Sequence, residues 1–221
     1  GRDTISRLAL GVTASADVIQ QAVAWGADAL LVHHGYFWRN EPPVLTGMKG
    51  QRVRALMNHQ MSLIAYHLPL DCHAEFGNNK ALLDQLGLVG GQPIAEENGL
   101  LWSVPLPNAM TIDQLASQVQ SALGRAPMVI ESSRGSETLS RLVVCTGGAQ
   151  DYLTKALYYG ADVYLSGEIS ERTTHEAREL GVHYIAAGHH ATERYGIQAL
   201  GQKLVSTLGV DVAFFDDHNP A

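Results

Sequence analysis

The 221-residue sequence predicts a three-layer α/β fold built on mostly parallel sheets. The first observation behind this is alternation: short apolar runs of strand length are separated by stretches of about ten residues with helical spacing, as when helices cross over between strands. The second is the continuously apolar run ALLV at 29–32, the pattern of a strand covered on both faces. The third is an internal echo, in which GADALLVHHG at 26–35 aligns with GADVYLSGEI at 160–169 and sets His34 opposite Glu168. The echo fits two related halves, and equally two generic helix-glycine-strand junctions.

Taken in order, residues 6–12 suit a strand, and 14–25 follow with helical spacing of Val18, Ala22 and Trp25, closed by Gly26. After the strand at 29–32 comes a loop with Pro42, Pro43 and Gly47, then a helix at 51–59, a strand at 63–66 and a helix at 79–86. Residues 90–138 change character: a strand at 100–106, a helix at 111–123 opened by a capping box of Thr111 and Gln114, a strand at 128–131 and a loop. The alternation then resumes with strands at 142–146, 163–165, 183–186 and 210–215 and helices at 151–159, 170–180 and 191–208. Two domains are expected, 1–94 with 187–221 and 95–186. A core strand within the first residues means either that this end is compact or that an N-terminal segment precedes it.

With 46% hydrophobic and 17% charged residues, the chain suits a globular protein that folds without staples. Cys72 and Cys145 make no disulfide framework, and neither a signal peptide nor a run of about 18 apolar residues is present, so a cytoplasmic protein with no membrane partner is expected. The net charge of -7 argues against a nucleic-acid partner, since that affinity comes largely from Lys and Arg.

Six of the ten histidines fall in LVHHGYFW at 31–38, YHLPLDCH at 66–73 and AGHHATERYG at 187–196, each just after a predicted strand. Parallel sheets gather ligands beyond the carboxyl ends of their strands. In the last segment His189 and Glu193 are four apart, on one face of a helix start, with His190 turned about 100° away. In the first, consecutive strand residues face opposite ways, so His33 and His34 share a site only if the backbone leaves strand geometry, which Gly35 permits. In the second, Pro69 is expected to fix an extended turn that sends Asp71 over the sheet, with His67 behind it as an orienting or proton-carrying group. Cys72 and His73 are read as bystanders.

Together, His33, His34, Asp71, His189 and Glu193 supply three imidazoles and two carboxylates, with Glu193 as the natural bridge. Such a set suits two divalent transition-metal ions, Zn, Mn, Fe, Co or Ni, more than Ca or Mg. Two ions roughly 3.5–4 Å apart lower the pKa of a bridging water, which implies hydrolytic chemistry. Glu168, His175 and His67 are the candidates for proton transfer or substrate contact. Tyr36, Phe37 and Trp38 line either a pocket mouth or an oligomer contact, and TGGA at 146–149 is a weak sign of anion binding.

The motifs HHGYFW, GMKGQRVRALMNH, YHLPLDCH, FGNNKALLDQLG, CTGGAQDYL, SGEISERTTHEA and AGHHATERYGI resemble the Ngg-interacting-factor-like family of GTP cyclohydrolase 1 type 2 homologues, above all its short bacterial YbgI-type members. The resemblance runs from about Leu8 to Pro220. It implies duplicated α/β/α halves with a dinuclear metal site in the cleft between them, a toroidal homohexamer, and metal ligands matching the same five residues. Family members carry about 30 further N-terminal residues with an Asn-x-Gly-Leu-Gln type motif, so truncation is expected here. Two functions follow: a metal-dependent hydrolase of a small, nucleotide-like substrate, releasing formate from GTP in the version the family name suggests, or a non-catalytic assembly that binds or delivers metal. Shared fold and metals do not establish a substrate.

Overall fold

The computed structural model describes residues 1–221, apart from the side chains of residues 108 and 109. In chain order the elements are β1 (Arg7–Thr13), α1 (Ala16–Trp25), β2 (Ala29–His34), α2 (Gly47–Asn58), β3 (Ser62–Ala65), α3 (Leu68–Asp71), α4 (Asn78–Gln85), β4 (Gln92–Pro93), β5 (Trp102–Met110), α5 (Ile112–Leu123), β6 (Met128–Ile130), β7 (Leu139–Cys145), α6 (Leu153–Tyr158), β8 (Val163–Ser166), α7 (Glu171–Leu180), β9 (His183–Ala186), α8 (His189–Leu208) and β10 (Asp211–Phe214). The chain divides into two compact units, residues 1–70 with 197–218, and 71–196 with 219–221.

The first unit is a sheet of order β10-β1-β2-β3 in which every pairing is parallel. Alternate strand residues face opposite ways. Accordingly Ala9, Leu30 and Val32 pack with Val18, Ile19 and Ala22 of α1 and Leu56 of α2, while Leu8, Leu10 and Leu31 pack with Ile197 and Leu200 of α8. Helices on both faces make the three layers, and cover on both faces explains the unbroken apolar run of β2.

The second unit is a mixed sheet of order β4-β5-β7-β8-β9-β6, parallel through β7, β8 and β9 and antiparallel elsewhere. On one face Leu142, Val144, Val163 and Leu165 join Leu82 and Leu83 of α4 and Leu115 and Val119 of α5. On the other, Val143, Tyr164 and Tyr184 meet Leu153 and Ala156 of α6 and Ala177 of α7.

The boundaries between units differ from the expected ones. Residues 71–94 and 187–196 belong to the second unit, because Leu82, Leu83, Leu86 and Leu88, like Ala187 and Ala191, bury their side chains in its core. Helix α8 is divided at Gly196–Ile197.

The internal echo is a structural one. Gly26 and Gly160 both adopt left-handed φ, 79° and 77°. Asp28 accepts from the backbone N–H groups of Ser6 and Arg7 at 2.8 and 2.9 Å; Asp162 accepts from those of Ser140 and Arg141 at 2.7 and 3.0 Å. The parallel registers match too, Leu8 beside Ala29 and Leu142 beside Val163. In both places a buried or half-buried carboxylate satisfies the amides at the start of the preceding strand, so GAD is a strand-entry device used twice.

Among the described residues, no helix is long and apolar enough to cross a membrane.

Candidate metal centre

In the first unit, β2 and β3 run side by side and deliver His33, His34 and His67 to one end of the sheet. The ring centroids lie 4.5 Å apart for His33 and His34, 4.9 Å for His33 and His67, and 5.4 Å for His34 and His67, and one nitrogen of each comes within 4.8 Å of the others. His33 is fully buried, and its Nδ1 donates to the Tyr66 carbonyl at 2.8 Å. That bond fixes the tautomer and leaves Nε2 with its lone pair, the form in which a histidine ligates a metal. His34 Nδ1 shares a hydrogen bond with Thr13 Oγ1 at 3.1 Å, so its Nε2 is likewise the outward atom. The Trp38 ring stands edge-on to His67, with centroids 4.8 Å apart.

The adjacent histidines do not need the backbone departure expected at this point. β2 stays paired with β1 through His34, and side chains at a strand end lean along the strand, which brings two successive rings together beyond its last residue. Gly35 serves a different purpose: a Cβ there would stand 2.7 Å from that of Ala65, so glycine allows the chain to leave β2 close against β3.

Asp71 opens the second unit. The segment before it is a single helical turn, α3, closed by Leu70 N–H donating to His67 O at 2.8 Å, and not the extended turn expected from Pro69. Proline suits a first helical turn because that turn has no use for its missing N–H. Asp71 is buried and accepts from Asn78 Nδ2 at 2.7 Å.

At the start of α8, His189 and Glu193 lie on one face, with Nε2 3.2 Å from Glu193 Oε2. Glu193 is buried at 3% exposure, and one of its oxygens lies within 4.8 Å of one of Asp71. On the other side of the His189 ring, Nδ1 donates to Glu168 Oε1 at 2.7 Å. The hydrogen bond with Glu193 and that with Glu168, opposed by burial, push the His189 pKa up to about 9. A metal at Nε2 would take the place of the proton that this nitrogen shares with Glu193, while Nδ1–H stays with Glu168.

The fit of this corner to a metal shows in the turn that covers it. Gly147, at φ 69°, has no side chain, and a Cβ built there would stand 2.1 Å from Glu193 Oε1 and 3.3 Å from His189 Nε2. Thr192 Oγ1 accepts from Gly147 N–H at 3.0 Å, and Asn79 Oδ1 from Thr146 N–H at 3.0 Å, which pins the turn over the two side chains. The donor set is chemically apt: histidine nitrogens and carboxylate oxygens with their outer atoms tied to hydrogen-bond partners. The cysteines are less apt, since burial, with Asp71 nearby, pushes both thiols up and disfavours thiolate.

The candidate His175, like His190 and His73, which the sequence left aside, lies outside these sets. His175 lies on the exposed face of α7, 3.2 Å from Glu171. His190 is buried, and its N–H donates to Ala221 O at 3.3 Å. His73 stacks on Phe76 at 4.9 Å. Sequence reasoning cast His67 as a supporting group, whereas it is a full member of the imidazole cluster. Asn78 carried no signal beyond its place in FGNNKALLDQLG, and Gly147, expected within TGGA to mark anion binding, instead covers the carboxylate of Glu193.

Comparison with known proteins bears on what this arrangement is. The family profile described as Duf34/NIF3 (NGG1p interacting factor 3) matches residues 1–220. The chain belongs to the Duf34/NIF3 family. Within it, a protein of Allochromatium vinosum named GTP cyclohydrolase 1 type 2 homolog is 50% identical over 221 residues, covering 100% of this chain and 86% of that one. A protein of the same name from Escherichia coli is 44% identical over 224 residues, covering 100% and 88%. The solved structure titled protein ybgI, unknown function, superposes with a TM-score of 0.95 at 43% identity, covering 100% of this chain and 88% of that one. A Thermus thermophilus protein follows with a TM-score of 0.91 at 31% identity, covering 100% and 87%.

Proposed function

We propose that this chain is a dinuclear metal-binding protein and a metal-dependent hydrolase of a small, nucleotide-like substrate. The observation that carries the reading is the pairing of Glu193 with His189 beneath the side-chain-free Gly147, a buried carboxylate and a half-buried imidazole held ready for a cation. The proposed ligands are His33, His34, Asp71, His189 and Glu193, with Glu193 serving both ions. Zn, Mn, Fe, Co and Ni suit this nitrogen and oxygen set. Bound there, such ions supply Lewis acidity and an activated water.

The chain's own residues prepare that chemistry. Glu168 fixes the His189 tautomer by accepting its Nδ1–H, and the Tyr66 carbonyl does the same for His33. Asn78 orients Asp71 by donating to its Oδ1. His67, with its ring beside both His33 and His34 and in T-shaped contact with Trp38, is the further imidazole for carrying a proton. The name shared by the relatives, GTP cyclohydrolase 1 type 2 homolog, supports a nucleotide as the substrate class. The expected assembly is a toroidal homohexamer, readable from its mass in solution.

Metal-loaded protein assayed against nucleotides, phosphoesters and cyclic amides tests the reading. Turnover that disappears in His33→Ala and Glu193→Ala supports it. Exchangeable metal whose occupancy follows supply, with no turnover of any of these compounds, would replace it with metal binding or delivery.

A further inference from the structure

We infer that the second unit carries an anion subsite in which Arg125 holds the phosphate of the substrate; this deepens the hydrolase reading and rests on it. A cavity of about 600 Å³ opens where β8 and β9 end, lined among others by Arg125, Met128, Gly167, Glu168, Ala186 and Gly188. Its volume lies in the range of small-molecule sites, about 300–1,000 Å³. Its place, beyond the carboxyl ends of two parallel strands, is where α/β sheets gather ligands.

Arg125 is the one cationic side chain on this lining. It follows Gly124, which ends α5 at φ 70°, and its guanidinium occupies room left by a second glycine. A Cβ at Gly188 would stand 2.3 Å from Arg125 Nη1 and 2.8 Å from Cζ, and φ 102° at that position suits glycine alone. The guanidinium is therefore seated in the wall. Nη1 donates to Ala221 O at 3.3 Å, and among the described residues no Asp or Glu side chain is paired with Arg125. A guanidinium has five donors in a planar fork that matches phosphate oxygens in pairs, so a single acceptor oxygen on Nη1 leaves most of those donors available.

The other charged residue on the lining is Glu168, and its Oε1 is engaged by His189 Nδ1 at 2.7 Å. One cavity thus joins a cation with unused donors to the carboxylate that orients a proposed metal ligand. A mononucleotide has this polarity, with an anionic phosphate at one end and a neutral ring at the other. Arg125 is a binding residue in this assignment. If it merely tied down residues 220–221, its loss would lower stability without changing which ligands bind.

Equilibrium titration of the metal-loaded full chain with guanosine monophosphate and with guanosine tests this, using wild type, Arg125→Gln, Arg125→Lys and Arg172→Gln, the last altering an exposed arginine paired with Asp151. Wild type should prefer the nucleotide at least tenfold. Arg125→Gln should erase the preference with metal content unchanged, Arg125→Lys should keep part of it, and Arg172→Gln all of it. Inorganic phosphate should compete with the nucleotide in wild type and Arg172→Gln and not in Arg125→Gln. Equal affinity of wild type and Arg125→Gln for the nucleotide, or no preference in wild type, overturns the assignment; should Arg125→Gln fail to fold, an undiminished preference in Arg125→Lys overturns it. An Arg125-dependent preference without turnover would retire the hydrolase reading and leave the subsite standing, whereas turnover without such a preference would do the reverse.

Discussion

Gly147→Ala is the most informative single change, because it adds one methyl group where the structure has no space for it. The new Cβ would stand 2.1 Å from Glu193 Oε1 and 3.1 Å from its Cδ, and Cβ contacts below 3.0 Å essentially never occur. The carboxylate must retreat from 2.1 Å to beyond 3.0 Å, about 0.9 Å, unless the turn moves away by as much. Metal–ligand distances tolerate only about 0.2 Å, and disturbing groups around a metal site lowers affinity about 10–100-fold, so a loss at the upper end of that range or beyond is expected. Alanine at φ 69° adds a backbone cost of about 1–2 kcal/mol, which for a chain of this size lowers Tm by only a few degrees. The adjacent Gly148 is the internal control: a Cβ there meets Glu168 at 3.5 Å, an ordinary contact, and its φ is not left-handed. Chelator competition and thermal melts on both variants give the answer. Gly147→Ala with unchanged metal affinity and only a lowered Tm would refute the claim that Glu193 is a ligand.

Other residues yield further tests. Glu168→Ala should lower metal affinity about 10–100-fold by releasing the His189 ring, read by the same competition assay. Asn78→Ala should have a similar effect through Asp71, with the fold intact by circular dichroism, since Asn79 keeps its own bonds to Thr146 and Leu100. Acid stability follows from the strand-entry carboxylates. The backbone N–H groups of Arg7 and Ser6, with Arg2, hold Asp28 below the usual carboxylate range; at Asp162, burial pushes up, but Ser140 and Arg141 outweigh it and the net shift is downward. A depressed folded pKa stabilises above the unfolded value of about 4, and that stability drains away as pH falls through the folded value. Asp28→Asn and Asp162→Asn should therefore be less stable than wild type at pH 7 and lose less on acidification to pH 3, measured by urea unfolding. His175→Ala should leave metal content and any turnover unchanged, because its ring pairs with Glu171 on an exposed helix face.

Local chemistry explains which parts of the fold could be read in advance. The capping box of Thr111 and Gln114 forms both of its hydrogen bonds, and Ser170 opens α7 as its N-cap. The apolar run of β2 reads as buried because α1 and α2 lie on one side and α8 on the other, a cover that leaves a one-dimensional trace. The adjacency of His189 and Glu193 was likewise implicit in helical spacing. What escaped was non-local or depended on missing atoms. The role of Gly147 lies in atoms it lacks, facing a residue 46 positions on. His67 joins His33 and His34 because β2 and β3 pair in parallel, and no spacing within YHLPLDCH encodes that. The second unit captures α4 because four leucines fit its core, which the order of elements alone did not reveal. The Asp28 and Asp162 pair was present in the GAD echo, but only the hydrogen bonds give it a physical meaning.

Metal stoichiometry in wild type and Glu193→Gln tests the central claim most directly. Elemental analysis of the purified full chain, with protein concentration fixed by amino-acid analysis, should give two transition-metal ions per chain in wild type. It should give none in Glu193→Gln, because in the proposed site that one carboxylate would serve both ions. A single ion per chain in wild type, or two ions retained in Glu193→Gln, would contradict the account.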